Sequence, residues 1–275
     1  MRVVLAGALL AMAAIQPALA LELAVNGNAS QGGLMIGHTD PAATVHLDGQ
    51  TIRTTADGTF VFGFGRDQGP SAELTATKGS ETARRTIDIV QRAYDIQKIN
   101  GLPDKLVTPD EATMARINSE AQEIGAARAQ DSDALGFLES FRWPVEGIIS
   151  GVYGSQRILN GEPRRPHFGV DIAAPEGTPI KAPADGRVTL AAKALYFTGG
   201  TVIIDHGHGV STTYLHMSRL DVKVGDVLKQ GDPVGAVGKT GRATGPHLCW
   251  RLNWFQERLD AALVVPPMPA RAAQN

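Results

Sequence analysis

Five side chains in the C-terminal half of the sequence have the chemistry of a metal centre. His167 and Asp171 lie four residues apart, His216 follows in a later segment, and His247 is two residues before Cys249. Neutral imidazole, carboxylate and thiolate are all side chains that zinc accepts as ligands. Cys249 is the only cysteine of the chain, so it cannot form an internal disulfide. It is a free thiol, half of an intermolecular bridge or a metal ligand, and its place beside His247 favours the ligand.

A catalytic zinc needs three protein ligands and one open position for water. The ion lowers the pKa of that water and polarises a carbonyl group, and a proton acceptor must lie within hydrogen-bonding distance. His167, Asp171 and Cys249 supply the three ligands. His216 and His247 then remain for acid–base chemistry, which is the division of roles that we predict.

Strands are the elements that would bring these residues together. If residues 247–249 form one strand, His247 and Cys249 share a face while Leu248 points into the core. His216 closes another apolar strand, on the same alternation as Tyr214, and the glycine-rich turn 240–246 directly precedes His247.

Other histidines receive no catalytic role. His206 and His208 flank a glycine turn and are predicted to be structural, with Asp205 a candidate to orient one of them. His38 and His46 lie among N-terminal strands without partner ligands.

The composition predicts a mainly β protein. Aromatic residues make up 5% of the chain, whereas there are 31 glycines and 16 prolines, a balance that favours short strands and turns over helical bundles. Alternating segments predict a small all-β, immunoglobulin-like sandwich at 21–92 and an antiparallel β-sheet domain at 143–262. We expect a connector at 93–142 and a disordered tail at 263–275, where three prolines occur within four residues.

The connector contains one predicted amphipathic helix, ending near Ala129. Thr108 is expected to be its N-cap, with Pro109 in the first turn and Glu111 completing a capping box. Apolar positions with helical spacing define its buried stripe, together with one arginine: Met114, Ile117, Ala121, Ile124 and Arg128. Three charged residues fall outside that stripe: Arg116, Glu120 and Glu123. The helix is expected to pack on the C-terminal domain, with docking to a partner as the alternative.

Residues 1–20 have the pattern of a secretory signal peptide. Arg2 precedes an apolar stretch at 3–15, and Ala18-Leu19-Ala20 provides a cleavage site. The alternative is an uncleaved anchor, although Gln16 and Pro17 interrupt the apolar run before it could span a bilayer. We therefore expect an exported chain without a transmembrane segment after cleavage. The net charge of −2, without a long basic run, argues against nucleic acid as a partner.

Residues 143 to about 255 resemble the lysostaphin/LytM-type zinc endopeptidases of bacterial cell-wall metabolism. The matching segments are His167-x-x-x-Asp171, Ala173-Ala174-Pro175-x-Gly177-Thr178-Pro179-Ile180, Ala182-x-x-x-Gly186, Asp205-His206-Gly207, Tyr214-x-His216-Met217, Val224-Gly225-x-x-Val227 and Thr244-Gly245-Pro246-His247-Leu248. The resemblance implies a β-sheet core with a narrow groove, a Zn²⁺ ion and hydrolysis of the peptide cross-links or stems of peptidoglycan.

The resemblance also implies roles for individual residues. The first ligand pair of the family corresponds to His167 and Asp171, and its catalytic histidines correspond to His216 and His247. Its third ligand is ordinarily the second histidine of a His-x-His motif, where this chain has Cys249. Thiolate is a good zinc ligand, but it adds a second negative charge to the site and should make the zinc a weaker Lewis acid.

The sequence thus predicts an exported zinc metallopeptidase acting on peptidoglycan, which by family analogy would lie in the periplasm. The alternative is a non-catalytic LytM-type domain that binds the cell wall or activates a separate amidase. A cell-wall amidase or a divisome protein is the candidate protein partner. In a further reading, the N-terminal β-domain recognises the wall and tethers the C-terminal domain.

Overall fold

The computed structural model describes residues 20–99, 110–159 and 161–269. The predicted signal peptide, apart from Ala20, lies outside these residues. The described chain is mainly β, as predicted, and is built from antiparallel sheets with one α-helix. No helix within the described residues is long and apolar enough to cross a membrane.

The N-terminal part folds as two antiparallel sheets around one core. Its strands are β1 (Leu23–Gly27), β2 (Leu34–Thr39), β3 (Thr44–Leu47), β4 (Gln50–Ile52), β5 (Thr59–Gly63), β6 (Ser71–Lys78) and β7 (Glu81–Asp88). One sheet has the order β1-β2-β5 and the other β4-β3-β6-β7. Strand β6 buries alternate residues, and both sheets contribute to a core that includes Phe60, Phe62 and Leu74. A turn at Asp48-Gly49 joins β3 to β4, with positive φ at both residues.

The connector holds β8 (Ile96–Ile99), helix α1 (Glu111–Arg128) and a 3-10 helix at Gly136–Leu138. The N-cap of α1 is Asp110, whose carboxylate accepts a hydrogen bond from the Thr113 amide at 2.7 Å. The prediction of Thr108 as N-cap is therefore wrong. An aspartate two residues later accepts from one of the free amides of the first turn, that of Thr113, and Thr108 itself lies outside the described residues.

Helix α1 packs on the C-terminal domain, as predicted, but its packed face agrees with the predicted stripe only in the second half, at Ile124 and Arg128. Arg116 donates to the Ala194 carbonyl and Glu120 accepts from the Tyr196 amide, both at 2.7 Å, so both residues bind the domain, although the Arg116 side chain stays 52% exposed. Met114, placed on the buried stripe, is 39% exposed. Apolar contact is confined to the second half of the helix, around Ile124 and Ala127. The predicted apolar stripe is wrong in the first half of the helix because backbone groups of the underlying strand end bind the polar side chains of Arg116 and Glu120 there.

The C-terminal domain is built on one large antiparallel sheet. Its strands, in chain order, are β9 (Ile148–Gly151), β10 (Gln156–Leu159), β11 (Glu162–Pro163), β12 (Val170–Ala173), β13 (Pro179–Lys181), β14 (Gly186–Leu195), β15 (Gly199–Gly207), β16 (Val210–Met217), β17 (Arg219–Leu220), β18 (Val227–Leu228), β19 (Pro233–Ala236), β20 (His247–Trp254) and β21 (Glu257–Leu259). The large sheet has the order β18-β14-β15-β16-β20-β12-β9, with β21 paired to β20. A small sheet has the order β13-β19-β17, and β8 pairs in parallel with β10 of the hairpin β10–β11.

One face of the large sheet is buried in the main core, which includes Ile172, Tyr214 and Trp250. Leu34 and Val61 of the N-terminal sheet belong to the same core. The two β-domains are therefore packed together rather than joined only by a linker.

The segment after residue 263 differs from the disordered tail that we expected. Trp143 Nε1 donates to the Pro266 carbonyl at 2.8 Å, and Val264 and Met268 pack against the main core. Apolar side chains before and between the prolines, and the carbonyl of Pro266 itself, provide this contact. Residues 270–275 lie outside the described residues.

Candidate metal centre

The register of two adjacent strands creates the centre. Strands β12 and β20 are antiparallel, with Asp171 opposite Cys249 and Ala173 opposite His247. Cross-strand partners project from the same face, so the carboxylate, the thiol and the imidazole share one face of the sheet. Leu248 is fully buried on the opposite face, as the alternation predicted.

The three predicted zinc ligands converge. One potential ligand atom from each of His167, Asp171 and Cys249 lies within 4.8 Å of the others. His167 Nε2 is 3.1 Å from Asp171 Oδ1 and 3.5 Å from Cys249 Sγ. Tetrahedral zinc with bonds of about 2.0–2.3 Å separates its ligand atoms by about 3.3–3.7 Å, close to these spacings.

Each of the three histidines of the centre has its Nδ1 atom hydrogen-bonded to a backbone carbonyl. The Nδ1 atoms of His167, His216 and His247 lie 3.1, 2.8 and 2.9 Å from the carbonyl oxygens of Val152, Thr240 and Gly245, respectively. A carbonyl oxygen only accepts, so each Nδ1 carries the proton and donates it. Each Nε2 is therefore left free to bind a metal or a proton, the arrangement typical of histidines at metal sites.

The electrostatics of the cluster require a positive charge between the ligand atoms. Asp171 Oδ1 is buried and receives no hydrogen bond of normal geometry, although His167 Nε2 is close to it. Burial disfavours the charged forms of both groups, but their mutual contact and Cys249 outweigh it. The pKa of His167 is raised to about 10, and that of Asp171 is lowered. Zinc would supply the same positive charge, so the donor set fits this ion by charge, spacing and ligand type.

His216 reaches the centre through an unusual backbone conformation. Strand pairing places Leu215 opposite Cys249 and Tyr214 opposite Trp250, so Tyr214 lies in the core on the far face. His216 has a φ of 65°, in the left-handed region that costs a non-glycine residue on the order of 1 kcal/mol or more. The expected shared alternation with Tyr214 therefore does not position His216; the strained backbone does.

His216 and His247 face each other beside the ligand cluster. Their ring centroids are 4.7 Å apart, and His247 Nε2 is 3.8 Å from Asp171 Oδ1. Burial lowers the pKa of His216; the Thr240 carbonyl partly opposes this, and the proximity of His247 adds to it. His216 is therefore neutral near pH 7, with a free lone pair on Nε2.

Two glycines allow the close approach of the ligands. A Cβ atom at Gly151 would lie 2.5 Å from Asp171 Oδ2, and one at Gly169 would lie 3.0 Å from Cys249 Sγ. Both positions thus need glycine for the carboxylate and the thiol to occupy their places.

His206 is structural, as the sequence predicted. It is fully buried, its Nδ1 donates to the Asp185 carbonyl at 2.7 Å, and its Nε2 accepts from the Thr212 hydroxyl at 2.7 Å. Burial lowers its pKa to about 4. Asp205 instead accepts hydrogen bonds from Ser132 and from the Gly207 amide, so it orients neither His206 nor His208.

Sequence reasoning missed the groups that orient the histidines, because backbone carbonyls have no residue signature. The glycine-rich turn before His247 was the one available signal, and it supplies the carbonyls of Thr240 and Gly245. Nothing in the sequence pointed to Val152.

Comparison with known proteins agrees with this geometry. Residues 165–261 match the sequence model described as Peptidase family M23. The chain is 40% identical over 105 residues to the DD-carboxypeptidase/endopeptidase Mpg of Neisseria meningitidis, covering 38% of this chain and 24% of that protein. It is 36% identical over 160 residues to the peptidoglycan DD-endopeptidase ShyA of Vibrio cholerae, covering 54% of this chain and 36% of that protein. The chain thus spans about a quarter to a third of the length of these relatives.

The likeness to a solved structure extends over most of the chain. A Pseudomonas aeruginosa protein assigned to peptidase M23 superposes with a TM-score of 0.67 at 28% identity, covering 86% of this chain and 95% of that one. The similarity therefore includes the N-terminal β-domain as well as the sheet that carries the candidate centre.

Proposed function

We propose that the chain is an exported zinc metallopeptidase hydrolysing peptide bonds of peptidoglycan, on the basis of the match of residues 165–261 to peptidase family M23. The observation that carries the proposal is the convergence of His167, Asp171 and Cys249 beside the facing pair His216 and His247. The endopeptidase activities for which Mpg and ShyA are named support the same substrate class.

In this proposal, His167, Asp171 and Cys249 would hold the zinc. The bound ion would make water nucleophilic near neutral pH and polarise the scissile carbonyl. The hydrogen bonds from the histidine Nδ1 atoms to backbone carbonyls keep the ligating and catalytic nitrogens directed inward.

His216 and His247 take different roles because their surroundings differ. His216 is neutral and accepts the proton of the attacking water through Nε2, then transfers it to the leaving amine. His247 Nε2 lies 3.8 Å from Asp171 Oδ1 and faces His216 beside the ligand cluster. From that position, His247 would stabilise the developing oxyanion.

The thiolate at residue 249 would change the charge that the ligands bring to the zinc. His, Asp and thiolate bring two negative charges to the metal, against one for His, Asp and His. The greater donation makes the ion a weaker Lewis acid, so we expect slow turnover. The same substitution favours the second candidate function, a non-catalytic domain that binds peptidoglycan or activates a cell-wall amidase or divisome protein.

The remaining assignments belong to the same proposal. Residues 1–20 would direct export to the periplasm, residues 21–92 and 143–262 would be the two β-domains, and residues 93–142 would connect them. No nucleic acid is proposed as a partner.

Release of soluble muropeptides from purified sacculi tests the proposal. The reduced chain, residues 21–275, is incubated with sacculi and one equivalent of zinc, with a metal chelator, or as the His216→Ala variant. We expect release with zinc and none with the chelator or the variant. Zinc binding without release in the parent would refute hydrolysis, and sedimentation with the sacculi would then support the binding function.

A further inference from the structure

The segment Val152–Ser155, between β9 and β10, controls the position of His167. His167 Nδ1 donates to the Val152 carbonyl at 3.1 Å. In the backbone, the His167 amide donates to the Ser155 carbonyl at 2.8 Å, and the Gly154 amide donates to the His167 carbonyl at 2.7 Å. Three hydrogen bonds thus tie the ring and backbone of this proposed ligand to one turn.

That turn is held in place from the N-terminal domain. Arg66 lies in the loop after β5, and its Nε donates to the Gly154 carbonyl at 2.9 Å. The Arg66 side chain is only 10% exposed, so this contact is sheltered from water. An arginine of one domain therefore binds the backbone that positions a metal ligand of the other.

The Tyr94 ring packs directly on this turn, at Gly154. The ring lies so close to Gly154, which has a φ of 85°, that a Cβ atom there would be 2.0 Å from Tyr94 Cδ1. The Arg66 guanidinium lies 4.4 Å from the centroid of the same ring, within the range of a cation–π interaction. The Asp95 carbonyl, next along the chain, accepts from the Gln156 amide at 2.9 Å.

Arg92 extends the contact to the other side of the loop. Its guanidinium lies 5.5 Å from the Tyr94 centroid and 5.7 Å from that of Tyr153, and it forms an ion pair with the buried Asp260 at 2.9 Å. Tyr153 is 6.2 Å, centroid to centroid, from Phe168, the residue after His167. Arg92, Tyr94 and Tyr153 thus pack around the backbone on both sides of the Val152–Ser155 turn and reach Phe168, next to His167.

From these contacts we propose that Arg66 of the N-terminal β-domain and Tyr94 at the start of the connector are positioning residues that orient His167 in the metal centre. The inference rests on the proposed zinc site and gives the N-terminal domain a role beyond that of a spacer or a wall-binding module. Neither residue is one of the proposed zinc ligands or acid–base residues. They act through the Val152–Ser155 turn, by fixing the carbonyl that selects the tautomer and direction of the His167 ring.

Zinc affinity of the full mature chain tests the proposal, measured by competition with a chromophoric chelator under reducing conditions. Loss of a group that directly orients a metal ligand weakens metal binding about 10- to 100-fold, and Arg66 acts one contact further away. We therefore expect Arg66→Ala and Tyr94→Ala each to raise the zinc Kd about 10-fold. Tyr94→Phe keeps the ring on Gly154 and should stay within twofold of the parent.

Arg84→Ala is the matched control. Arg84 lies in the same domain and pairs with Glu73 at 3.1 Å on the surface, with more than half of each side chain exposed. It should leave the zinc Kd unchanged. Equal losses in Arg84→Ala and Arg66→Ala, or unchanged affinity in folded Arg66→Ala and Tyr94→Ala chains, would overturn the proposal.

A second readout does not depend on metal. In the metal-free chain, the Nδ1–H proton of His167 should give a slowly exchanging NMR signal because it is bonded to Val152. Arg66→Ala and Tyr94→Ala should accelerate its exchange, while Arg84→Ala should not. A parent chain that fails to bind zinc contradicts the proposed function alone. Unaltered exchange in both variants contradicts the positioning role.

Discussion

Asp171 and Cys249 are directly opposite each other on the antiparallel strands β12 and β20. This single cross-strand pair brings a carboxylate and a thiol to one face of the sheet, next to His167 Nε2 at 3.1 and 3.5 Å. The chemistry of the centre therefore depends on strand register, because a slip of one residue would turn Cys249 into the core.

The first prediction concerns the space around Asp171. Gly151→Ala places a methyl group 2.5 Å from Asp171 Oδ2, so the carboxylate must move. We expect the zinc Kd to rise about 10-fold, as it does when a residue that orients a metal ligand is lost. Gly245→Ala is the matched control, since a Cβ there meets nothing within 4 Å. Equal zinc affinity of both variants, measured by chelator competition, would show that the Asp171 position is not critical.

The second prediction separates ligands from acid–base residues. His216→Ala should retain zinc and lower kcat by about 10²- to 10⁴-fold, because it removes the proton acceptor but no ligand. His167→Ala should lose the zinc itself. Metal content and muropeptide release are measured on the same samples. Full zinc retention in His167→Ala, or loss of zinc in His216→Ala, would reverse the assignment.

The third prediction tests the thiolate. Cys249→His removes one negative charge from the ligand set, so the zinc becomes a stronger Lewis acid. We expect kcat to rise about 10-fold, which corresponds to about 1.4 kcal/mol of activation free energy. Rates are compared at matched zinc occupancy, with Cys249→Ser as the variant that lacks a strong ligand. Unchanged or lower activity of Cys249→His would contradict the electrostatic argument.

The fourth prediction concerns stability and pH. His206 has a pKa of about 4 in the folded chain, against an ordinary 6.5, so the unfolded chain binds more protons between these values. Its contribution to the free energy of unfolding is complete above pH 6.5 and is lost as the pH falls toward 4. Between pH 7.5 and pH 5 the loss is about 2 kcal/mol.

His206→Asn checks that value. The asparagine can still donate to the Asp185 carbonyl but does not titrate. Urea unfolding in the presence of a chelator should therefore show about 2 kcal/mol less pH dependence for the variant than for the parent. Identical pH dependence of the two chains would mean that His206 is not buried in its neutral form.

Simple alternation was enough to predict part of the centre. The spacing of His247, Leu248 and Cys249 correctly placed the first and third on one face and Leu248 in the core. The antiparallel β-domain and the small N-terminal sandwich also followed from alternation and turn residues. These features depend on local sequence, where the period of two is visible.

The rest depended on contacts that local sequence does not encode. His216 enters the centre through a left-handed backbone, which no propensity of histidine would predict. The parallel pairing of β8 with β10 joins segments about sixty residues apart. The packed face of α1 uses Arg116 and Glu120 because of carbonyl and amide groups on a strand end that the helix meets only in the folded chain.

X-ray absorption at the zinc edge of the reduced, zinc-loaded mature chain tests the central claim most directly. The account predicts one sulfur ligand at about 2.3 Å and nitrogen or oxygen ligands at about 2.0–2.1 Å, with the sulfur contribution lost in Cys249→Ser. A zinc site without sulfur, or one whose spectrum is the same in Cys249→Ser, would contradict the assignment of His167, Asp171 and Cys249 as the metal centre.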